Sequence, residues 1–270
     1  MFPQLKSWNH QILNTMLPNP VIFGHTIDWF TFFPKIAVLF TIVFGRWYYI
    51  NRAQFRLPIS QWISIIMVLF VVMLGFGRIV GFIEQYLRYG YFPEVAFIFR
   101  GISQGGFRWC GALLGILLII PLIPIRFLKK INFYLVLDML ALCFCVFTIF
   151  IKQACQFSGD GCYGTYTTLP WGMYYPYGVA PNIIPVHPTP IYDSLFHLGL
   201  LIYLIIWDRN GKKQAGQTAY RYFIAVSVFY ICLEMIRINP AIAWGISLPQ
   251  IVYLLVLVTT ILIFKKYYFI

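Results

Sequence analysis

The stretch F-S-G-D-G-C-Y-G-T-Y-T-T-L-P-W-G-M-Y-Y-P, residues 157–176, decides how the rest of the chain is interpreted. It holds four glycines, two prolines and one acid, Asp160, whereas the segments on either side are rich in apolar residues. Glycine adopts backbone conformations that other residues avoid, and proline interrupts helical hydrogen bonding. Irregular backbone at membrane depth persists only where protein or a water-filled cavity satisfies it. The stretch therefore predicts a polar, loop-built site at one face of a helical membrane protein.

Composition indicates an integral membrane protein. Hydrophobic residues make up 60% and charged residues 10% of the 270 residues, whereas an ordinary soluble domain is about 25% charged. The chain carries 20 Lys and Arg residues against 8 Asp and Glu residues. The basic residues concentrate in short segments between apolar runs, which is typical of residues that set membrane topology. We therefore expect membrane lipids, and no nucleic acid, as partners.

Seven apolar runs approach the length that a bilayer requires, roughly 17 to 25 residues for a helix. They lie at about 29–45, 62–77, 109–125, 132–151, 191–207, 222–236 and 248–264. Between the second and third runs, residues 78–108 mix apolar and charged side chains, which predicts an amphipathic arm at the membrane interface. The sequence thus predicts an all-α integral membrane protein with seven transmembrane helices in a single polytopic domain, residues 1–270.

The distribution of positive charge predicts the orientation in the membrane. Twelve of the 20 Lys and Arg residues follow the odd-numbered runs, and the other eight are spread over many more residues on the opposite side. Short basic loops favour the cytoplasm. We therefore expect the N-terminus outside, the C-terminus in the cytoplasm, and the long loop at about 152–190 on the external side.

Four segments on the predicted external side carry residues suited to chemistry. They are S-Q-G-G at 103–106, the glycine-rich segment at 152–164, V-H-P-T-P-I-Y-D at 186–193 and E-M-I-R-I-N-P at 234–240. An Arg at the end of a membrane helix is costly unless it is paired or binds an anion, and its planar fork suits phosphate. For Arg237, spacing alone leaves a phosphate site and a structural ion pair equally open. Glu234, three residues earlier, is a candidate to orient the guanidinium.

Further candidates lie in the loop and just after it. Lys152 adds a second cation beside glycine-rich backbone, whose N–H groups can bind phosphate. Asp160 lies between two glycines, where a local turn is the favoured role. His187 precedes a proline and is held extended, and its imidazole is either a general base or a hydrogen-bonding brace. Cys155 and Cys162 flank the loop, and both a disulfide and two free thiols remain open.

Metal binding is not indicated by the spacing of these residues, since the six cysteines lack a C-x-x-C pattern. A site built from His187, Asp160 and the two external cysteines is therefore discounted, and we expect no metal. Asp138 is an acid within the fourth predicted span and by default a functional candidate, although it is expected toward the inner half of the membrane. Asp193 and His197 are spaced to pair on one helical face.

Together these segments resemble the prolipoprotein diacylglyceryl transferase family. The resemblance rests on G-D-G-C-Y-G, L-P-W-G, V-H-P-T-P-I-Y-D, E-M-I-R-I-N-P and I-S-L-P-Q, in that order, over roughly residues 20–264. It implies a transferase that moves a diacylglyceryl group from phosphatidylglycerol to the lipobox cysteine of a prolipoprotein and releases glycerol phosphate. It also implies a multi-pass protein of the bacterial inner membrane with an external active site and no cofactor. We expect a monomer.

The predicted site follows from the residues and the resemblance together. Arg237, His187 and Lys152 are the predicted catalytic residues. The predicted substrate-binding residues are Gln104, Gly105, Gly106, Asp160, Gly164, Tyr192, Glu234 and Asn239.

The chain departs from the family pattern at four positions, one of which is Cys155 in place of an Asn. Gln104 stands where the family commonly has the His of His-Gly-Gly, Lys152 stands in place of an Arg, and Phe30 in place of a Tyr. Gln does not accept a proton from a thiol at neutral pH, and Lys lacks the bidentate fork of Arg. The alternative function is therefore a divergent paralogue that binds lipid or lipoprotein without transfer, or that modifies a different acceptor.

Overall fold

Helices dominate the part of the chain that the computed structural model describes, which comprises residues 21–22, 25–50, 59–90, 108–119, 133–178, 181–209, 214–239 and 241–268. Within these ranges there are seven α-helices. They are α1 (Trp29–Ile50), α2 (Ile59–Tyr89), α3 (Trp109–Ile119), α4 (Phe133–Ser158), α5 (Thr189–Arg209), α6 (Gln217–Leu233) and α7 (Leu248–Tyr268). A 3-10 helix at Glu234–Ile236 follows α6 directly.

Five segments within the described ranges are apolar and long enough to cross a membrane. They are Met67–Leu87, Tyr134–Ser158, Thr189–Arg209, Gln217–Ile236 and Leu248–Lys265. Helix α3 is a shorter apolar helix of 11 residues. The predicted all-α, multi-pass membrane fold is confirmed. The total of seven spans and the N-terminus-out orientation stay predictions.

Two helices extend beyond the boundaries that the apolar runs predicted. Helix α2 continues past residue 78, the predicted start of the arm, to Tyr89. Helix α4 continues to Ser158, so Lys152 and Cys155 lie on a helix and not in the loop. Neither extension contains a proline, so polar side chains end the apolar run without interrupting helical hydrogen bonding. The rest of the predicted arm, residues 91–107, lies outside the described residues.

Short antiparallel hairpins precede α1 and lie between later helices, and the sequence analysis did not predict them. Those described are β1 (Val21–Ile22) with β2 (His25–Thr26), β3 (Met173–Tyr175) with β4 (Asn182–Val186), and β5 (Ala241–Ala243) with β6 (Ile246–Ser247). The β3–β4 hairpin pairs Met173 with Val186 and Tyr175 with Asn182. It lies in the long loop between α4 and α5. There its two strands satisfy part of the hydrogen-bonding capacity of the loop backbone, which is not helical.

The chain divides into two compact units. Unit one comprises residues 1–42, 144–201 and 236–238, and unit two comprises the remainder, residues 43–143, 202–235 and 239–270.

Aromatic stacking joins α1 to α4 within unit one. Phe33 stacks on Phe157 with ring centroids 5.2 Å apart, and Phe40 stacks on Phe150 at 4.5 Å. The partner of the later residue on α1 is the earlier residue on α4, so these two helices run antiparallel. The stacks add to the apolar burial that holds the helices together, by about 0.5–1.5 kcal/mol for each pair.

Helix packing within unit two depends on small residues. Helix α3 packs against both α2 and α7, and α7 packs against α6. A Cβ added at Gly111 of α3 would lie 2.6 Å from the carbonyl oxygen of Phe76, and one at Gly115 would lie 2.6 Å from its ring. Glycines four residues apart let two membrane helices approach closely, and dispersion between them then holds the pair.

Asp138 has a structural role in unit two. Its carboxylate, on α4, accepts hydrogen bonds of 2.8 Å from the backbone N–H groups of Gly216 and Ala219, at the start of α6. The first N–H groups of a helix lack intrahelical acceptors, and a negative charge there is stabilising. Asp138 is buried at 1% exposure. A carboxylate from another helix therefore replaces the cap that Gly216, which has no side-chain oxygen, cannot provide.

We predict that Asp138→Asn lowers the stability of the protein by about 1–3 kcal/mol, because one of the two buried hydrogen bonds and the charge are lost. The measurement is the thermal unfolding midpoint of the purified protein in detergent. Thr259→Ala is a suitable control, since the exposed Thr259 hydroxyl bonds to the Leu255 carbonyl of its own helix. Equal midpoints for Asp138→Asn and the control would show that the cap contributes nothing.

Candidate active site

The chain turns sharply where α4 ends. Gly159 and Gly161 have φ values of 53° and 85°, a region that side chains disfavour. Between them, Asp160 Oδ1 accepts a hydrogen bond of 3.0 Å from the Cys162 N–H, which closes a local turn. This is the turn role that the flanking glycines favoured. The turn directs the chain back toward α5.

Gly164 lies at the closest contact of the candidate site. Its N–H donates to the His187 carbonyl at 2.8 Å, and the next N–H, of Thr165, donates to the Ile236 carbonyl at 2.7 Å. The Thr165 carbonyl in turn accepts from the His187 N–H at 3.0 Å. Gly164 also forms an antiparallel bridge with Arg237. The segment at 164–165 thus lies between the His187 and Arg237 segments, so three of the four predicted groups meet.

The space around Gly164 has no room for a side chain. An added Cβ would lie 2.6 Å from the Ile236 carbonyl oxygen and 2.8 Å from the Cβ of His187. Real Cβ atoms do not make such contacts, and backbone on one side cannot move away as a flexible side chain would. Glycine is therefore required here by packing, in a position that binds three segments together.

A buried ion pair joins α4 to α5. Lys152 Nζ lies 2.8 Å from Asp193 Oδ2, and the other carboxylate oxygen lies 3.0 Å from His197 Nδ1. The Asp193 and His197 side chains are completely buried, and Lys152 is 13% exposed. Arg237 acts electrostatically on both Lys152 and Asp193. The predicted pairing of Asp193 with His197 is confirmed, and Lys152 joins that pair as an ion-pairing residue.

A polar contact beside the ion pair strengthens the same helix contact. Gln153 Nε2, on α4, donates to Ser194 Oγ on α5 at 2.9 Å. The Ser194 hydroxyl itself donates to the Pro190 carbonyl at 3.0 Å. Consecutive residues on both helices, Lys152 with Gln153 and Asp193 with Ser194, therefore meet in register. This contact holds the start of α5, and with it Tyr192, at a fixed place.

Three side chains form a hydrogen-bonded series at the surface of unit one. Trp171 Nε1 donates to the Tyr192 hydroxyl oxygen at 2.7 Å, and His187 Nδ1 lies 3.2 Å from the same oxygen. Trp171 is exposed and the other two are partly buried. A hydroxyl that accepts from an indole can also accept from an imidazole, which would leave His187 Nε2 unprotonated and available as a base.

An aromatic core supports the loop beneath these residues. Tyr163 stacks on Tyr175 with centroids 4.9 Å apart, and the Tyr175 hydroxyl donates to Gln156 Oε1 at 3.0 Å. Burial raises the pKa of Tyr175 above its usual range, and burial likewise raises the pKa of Tyr163. Both phenols therefore stay protonated at neutral pH and act as hydrogen-bonding and packing groups.

Glu234 and Asn239 contact each other within unit two. Asn239 Nδ2 donates to Glu234 Oε2, and the Ser247 hydroxyl donates to the same oxygen at 3.5 Å. Gln250 Oε1 accepts from the Ser247 N–H at 2.9 Å, which links the I-S-L-P-Q segment to this network. The predicted role of Glu234 in orienting Arg237 stays a prediction.

Some predicted residues lie outside the described part of the chain, and Asp160 lies close to two cysteines. Gln104, Gly105, Gly106 and the side chain of Phe30 are outside the described residues. Among those described, Cys155, Asp160 and Cys162 each bring one donor atom within 4.8 Å of the others. The metal site that the sequence analysis discounted comprised these three residues and His187, and His187 is not a member of this cluster.

Comparison with known proteins identifies the family. The profile of the prolipoprotein diacylglyceryl transferase family matches residues 20–265. The chain belongs to this family.

Individual relatives have modest identity over much of the chain. A phosphatidylglycerol–prolipoprotein diacylglyceryl transferase of Actinobacillus pleuropneumoniae is 25% identical over 242 residues, 86% of each protein. One of Solidesulfovibrio magneticus is 27% identical over 234 residues, 80% of this chain and 86% of the relative. The second such protein of Clostridium perfringens is 29% identical over 174 residues, which cover 64% of this chain and 66% of that protein.

The motifs shared with the prolipoprotein diacylglyceryl transferase family now have defined positions. V-H-P-T-P-I-Y-D supplies His187, Tyr192 and Asp193, and G-D-G-C-Y-G supplies the turn and Gly164. Sequence reasoning missed the roles of Trp171 and Gln153. The L-P-W-G motif did mark Trp171, but no spacing rule connects it to a tyrosine 21 residues away.

We predict that Gly164→Ala destabilises this family member by about 1–3 kcal/mol, because the added methyl group meets backbone that cannot move away. The measurement is the thermal unfolding midpoint in detergent. Gly199→Ala is the matched control, since a Cβ there has no atom within 4 Å and lies within α5. We expect the control to be neutral or slightly stabilising. A Gly164→Ala midpoint equal to that of the control would contradict the packing argument.

Proposed function

We propose that this chain transfers a diacylglyceryl group from phosphatidylglycerol to the cysteine thiol of a prolipoprotein lipobox. Family membership and the names of the relatives support the reaction and both substrates. One observation carries the proposal: the backbone bonds of Gly164 and Thr165 join the His187 segment to the Arg237 segment. This contact supports a single proposed site that uses the His187 imidazole and the Arg237 guanidinium.

The reaction balances without a cofactor. The acceptor sulfur forms a bond to the terminal glycerol carbon of the diacylglyceryl group, and the bond from that carbon to the phosphate oxygen breaks. The electron pair leaves with glycerol phosphate, and the thiol proton goes to a base or to water. Catalysis then requires a positive group for the leaving phosphate and a means of forming thiolate, of which a free cysteine holds only a few per cent at pH 7.

Arg237 is the proposed phosphate ligand. Its guanidinium can donate two parallel hydrogen bonds to phosphate oxygens, and such contacts accelerate the reaction only if they strengthen as negative charge develops on the leaving group. The backbone of Arg237 is fixed by its bridge to Gly164. The segment that carries the fork is therefore held in place before substrate binds, which is the condition for electrostatic stabilisation.

Lys152 has a supporting role in the proposal. Its ammonium group is held by Asp193, so it contributes to the site mainly through position and through the field it shares with that carboxylate. The pair fixes α5 beside α4 and thereby places Tyr192, one residue before Asp193. A Lys is sufficient for this task, because a single ion-pair contact does not use the fork of an Arg.

His187 is the proposed proton acceptor. Donation from Nδ1 to the Tyr192 hydroxyl would select the tautomer with a free Nε2, and Trp171 would hold the tyrosine in place. In this proposal His187 supplies the base that Gln104 cannot supply. The proposal keeps the predicted substrate-binding roles of seven further residues. They are Asp160, Gly164, Gln104, Gly105, Gly106, Glu234 and Asn239.

We propose an external location for the site, in the bacterial inner membrane, on the basis of the positive charge that follows the odd-numbered apolar runs. The lipobox segment of a secreted precursor and phosphatidylglycerol both reach that face. The enzyme is proposed to act as a monomer.

A second candidate is a paralogue that binds lipid or lipoprotein without transfer, or that modifies a different acceptor. The glutamine at position 104, in place of the family's His, favours it. The two candidates differ in turnover. The purified protein, phosphatidylglycerol vesicles and a lipobox peptide give a mass increase on the peptide thiol only if transfer occurs, whereas retained lipid without turnover across several acceptor peptides indicates binding alone.

We predict that Arg237→Ala lowers transfer in this assay by at least about 100-fold, as expected for loss of a preorganised charge stabiliser. Arg237→Lys should keep the charge but lose the bidentate geometry, with a remaining activity of roughly 1–10%. The readout is the mass increase of the peptide thiol per unit time. Arg46→Ala, at an exposed position of α1, is the control and should retain full activity. Near-normal transfer by Arg237→Ala would remove Arg237 from the site.

We predict different losses for two neighbouring variants if His187 is the base. His187→Gln should lower the rate by about 100- to 10,000-fold, while Tyr192→Phe, which keeps the imidazole, should lose only about tenfold because the tautomer is no longer selected. If His187 is a structural brace, both variants lose activity to a similar, moderate extent.

A further inference from the structure

Two cysteines approach each other where the turn after α4 begins. Cys155 lies in the last turn of α4 and Cys162 follows the turn. Their sulfur atoms and one carboxylate oxygen of Asp160 all lie within 4.8 Å of one another. Both cysteines are partly exposed, whereas Cys110, Cys143 and Cys145 are buried.

The backbone around these thiols is held by several independent contacts. The Gly159 N–H donates to the Cys155 carbonyl at 3.1 Å, and the Cys162 N–H is bonded to Asp160. The Thr189 hydroxyl, at the start of α5, donates to the Cys162 carbonyl. The proximity of the sulfurs therefore follows from a turn that is fixed at both ends.

The surroundings of the two thiols disfavour metal binding. Lys152 lies one helical turn before Cys155 and interacts electrostatically with both sulfurs, and Arg237 acts on the same lysine. Positive charge nearby opposes the binding of a divalent cation. A structural zinc site has four protein ligands, and this cluster, within the described residues, has three. One oxygen of Asp160 is already used by the turn.

We propose that Cys155 and Cys162 form a disulfide bond. Disulfide-bonded cysteines have Cβ atoms about 3.8 Å apart, and these two sulfurs, which lie within 4.8 Å of each other, must approach further to form the bond. The oxidant is a disulfide of a thiol–disulfide oxidoreductase. One thiolate attacks it to give a mixed disulfide, and the second thiolate then displaces the reduced partner. This chain loses two protons and two electrons, and the oxidant gains them as two thiols.

The disulfide would fix the end of α4 to the segment that leads into Gly164. Only Tyr163 separates Cys162 from Gly164, so the covalent link would restrain the backbone that joins the His187 and Arg237 segments. This inference concerns the thiols themselves and does not depend on the transferase activity. Its test can therefore fail or succeed whatever the outcome of the transfer assay.

The test uses the full chain, purified in detergent without reductant and then incubated with oxidised glutathione. Free thiols are alkylated, the protein is digested with trypsin, and the peptide that begins after Lys152 and contains both cysteines is weighed. We expect a mass two hydrogens below that of the reduced peptide and no alkyl groups on either cysteine. Reduction before alkylation should add two alkyl groups.

Variants separate this bond from other outcomes. Cys155→Ser and Cys162→Ser should each leave the remaining cysteine open to alkylation or to glutathione, whereas Cys232→Ser, at an exposed cysteine elsewhere, should leave the disulfide intact. Alkylation of both cysteines after oxidation of the unmodified chain would overturn the proposal. So would one zinc ion per chain that is retained on purification and lost from both single variants, since the thiols would then be metal ligands.

Discussion

Backbone hydrogen bonds at Gly164 and Thr165 hold the candidate active site together. They join the His187 segment on one side to Ile236 on the other, at distances of 2.7–3.0 Å. An irregular segment in a membrane protein must find partners for its N–H and C=O groups within the protein or in a water-filled cavity. Here the partners are the two segments that carry the imidazole and the guanidinium. The same bonds bring the His187 and Arg237 segments together, and the Lys152–Asp193 pair holds α5, which follows the His187 segment.

The membrane fold and the positions of the main segments could be predicted from the sequence. Apolar runs indicate helices reliably, because a bilayer demands them, and the glycine-rich stretch could not be a helix. The ends of helices were harder to predict. Lys152 ended an apolar run and was therefore assigned to the loop, yet α4 continues to Ser158. Helical hydrogen bonding does not depend on whether a side chain is apolar, so the end of the apolar run was the wrong signal for the end of the helix.

Pairings between distant residues were the least accessible from the sequence. The partner of Asp193 on its own helix, His197, was predictable because helical spacing defines it. Its partner Lys152 lies 41 residues earlier, and only the packing of α4 on α5 brings the two together. The hydrogen bond from Trp171 to Tyr192 likewise joins residues that are distant in the sequence and meet only in the folded chain. The family motifs marked both residues, but a motif records which side chains belong to a site and not which of them touch.

The contact of Asp138 with the first turn of α6 has a consequence for how the protein is made. Helix α4 is synthesised well before α6, so this carboxylate enters the bilayer before its two N–H partners exist. An unpaired acid in an inserting helix is costly, by up to about 2.5–3.5 kcal/mol at the helix centre, and Asp138 lies in the first two turns of α4, where the cost is smaller. The N–H groups of Gly216 and Ala219 offset part of that cost once α6 packs beside α4. Helix α6, whose N-cap residue Gly216 makes no side-chain cap hydrogen bond, thus depends on the earlier helix for two of its N-terminal partners.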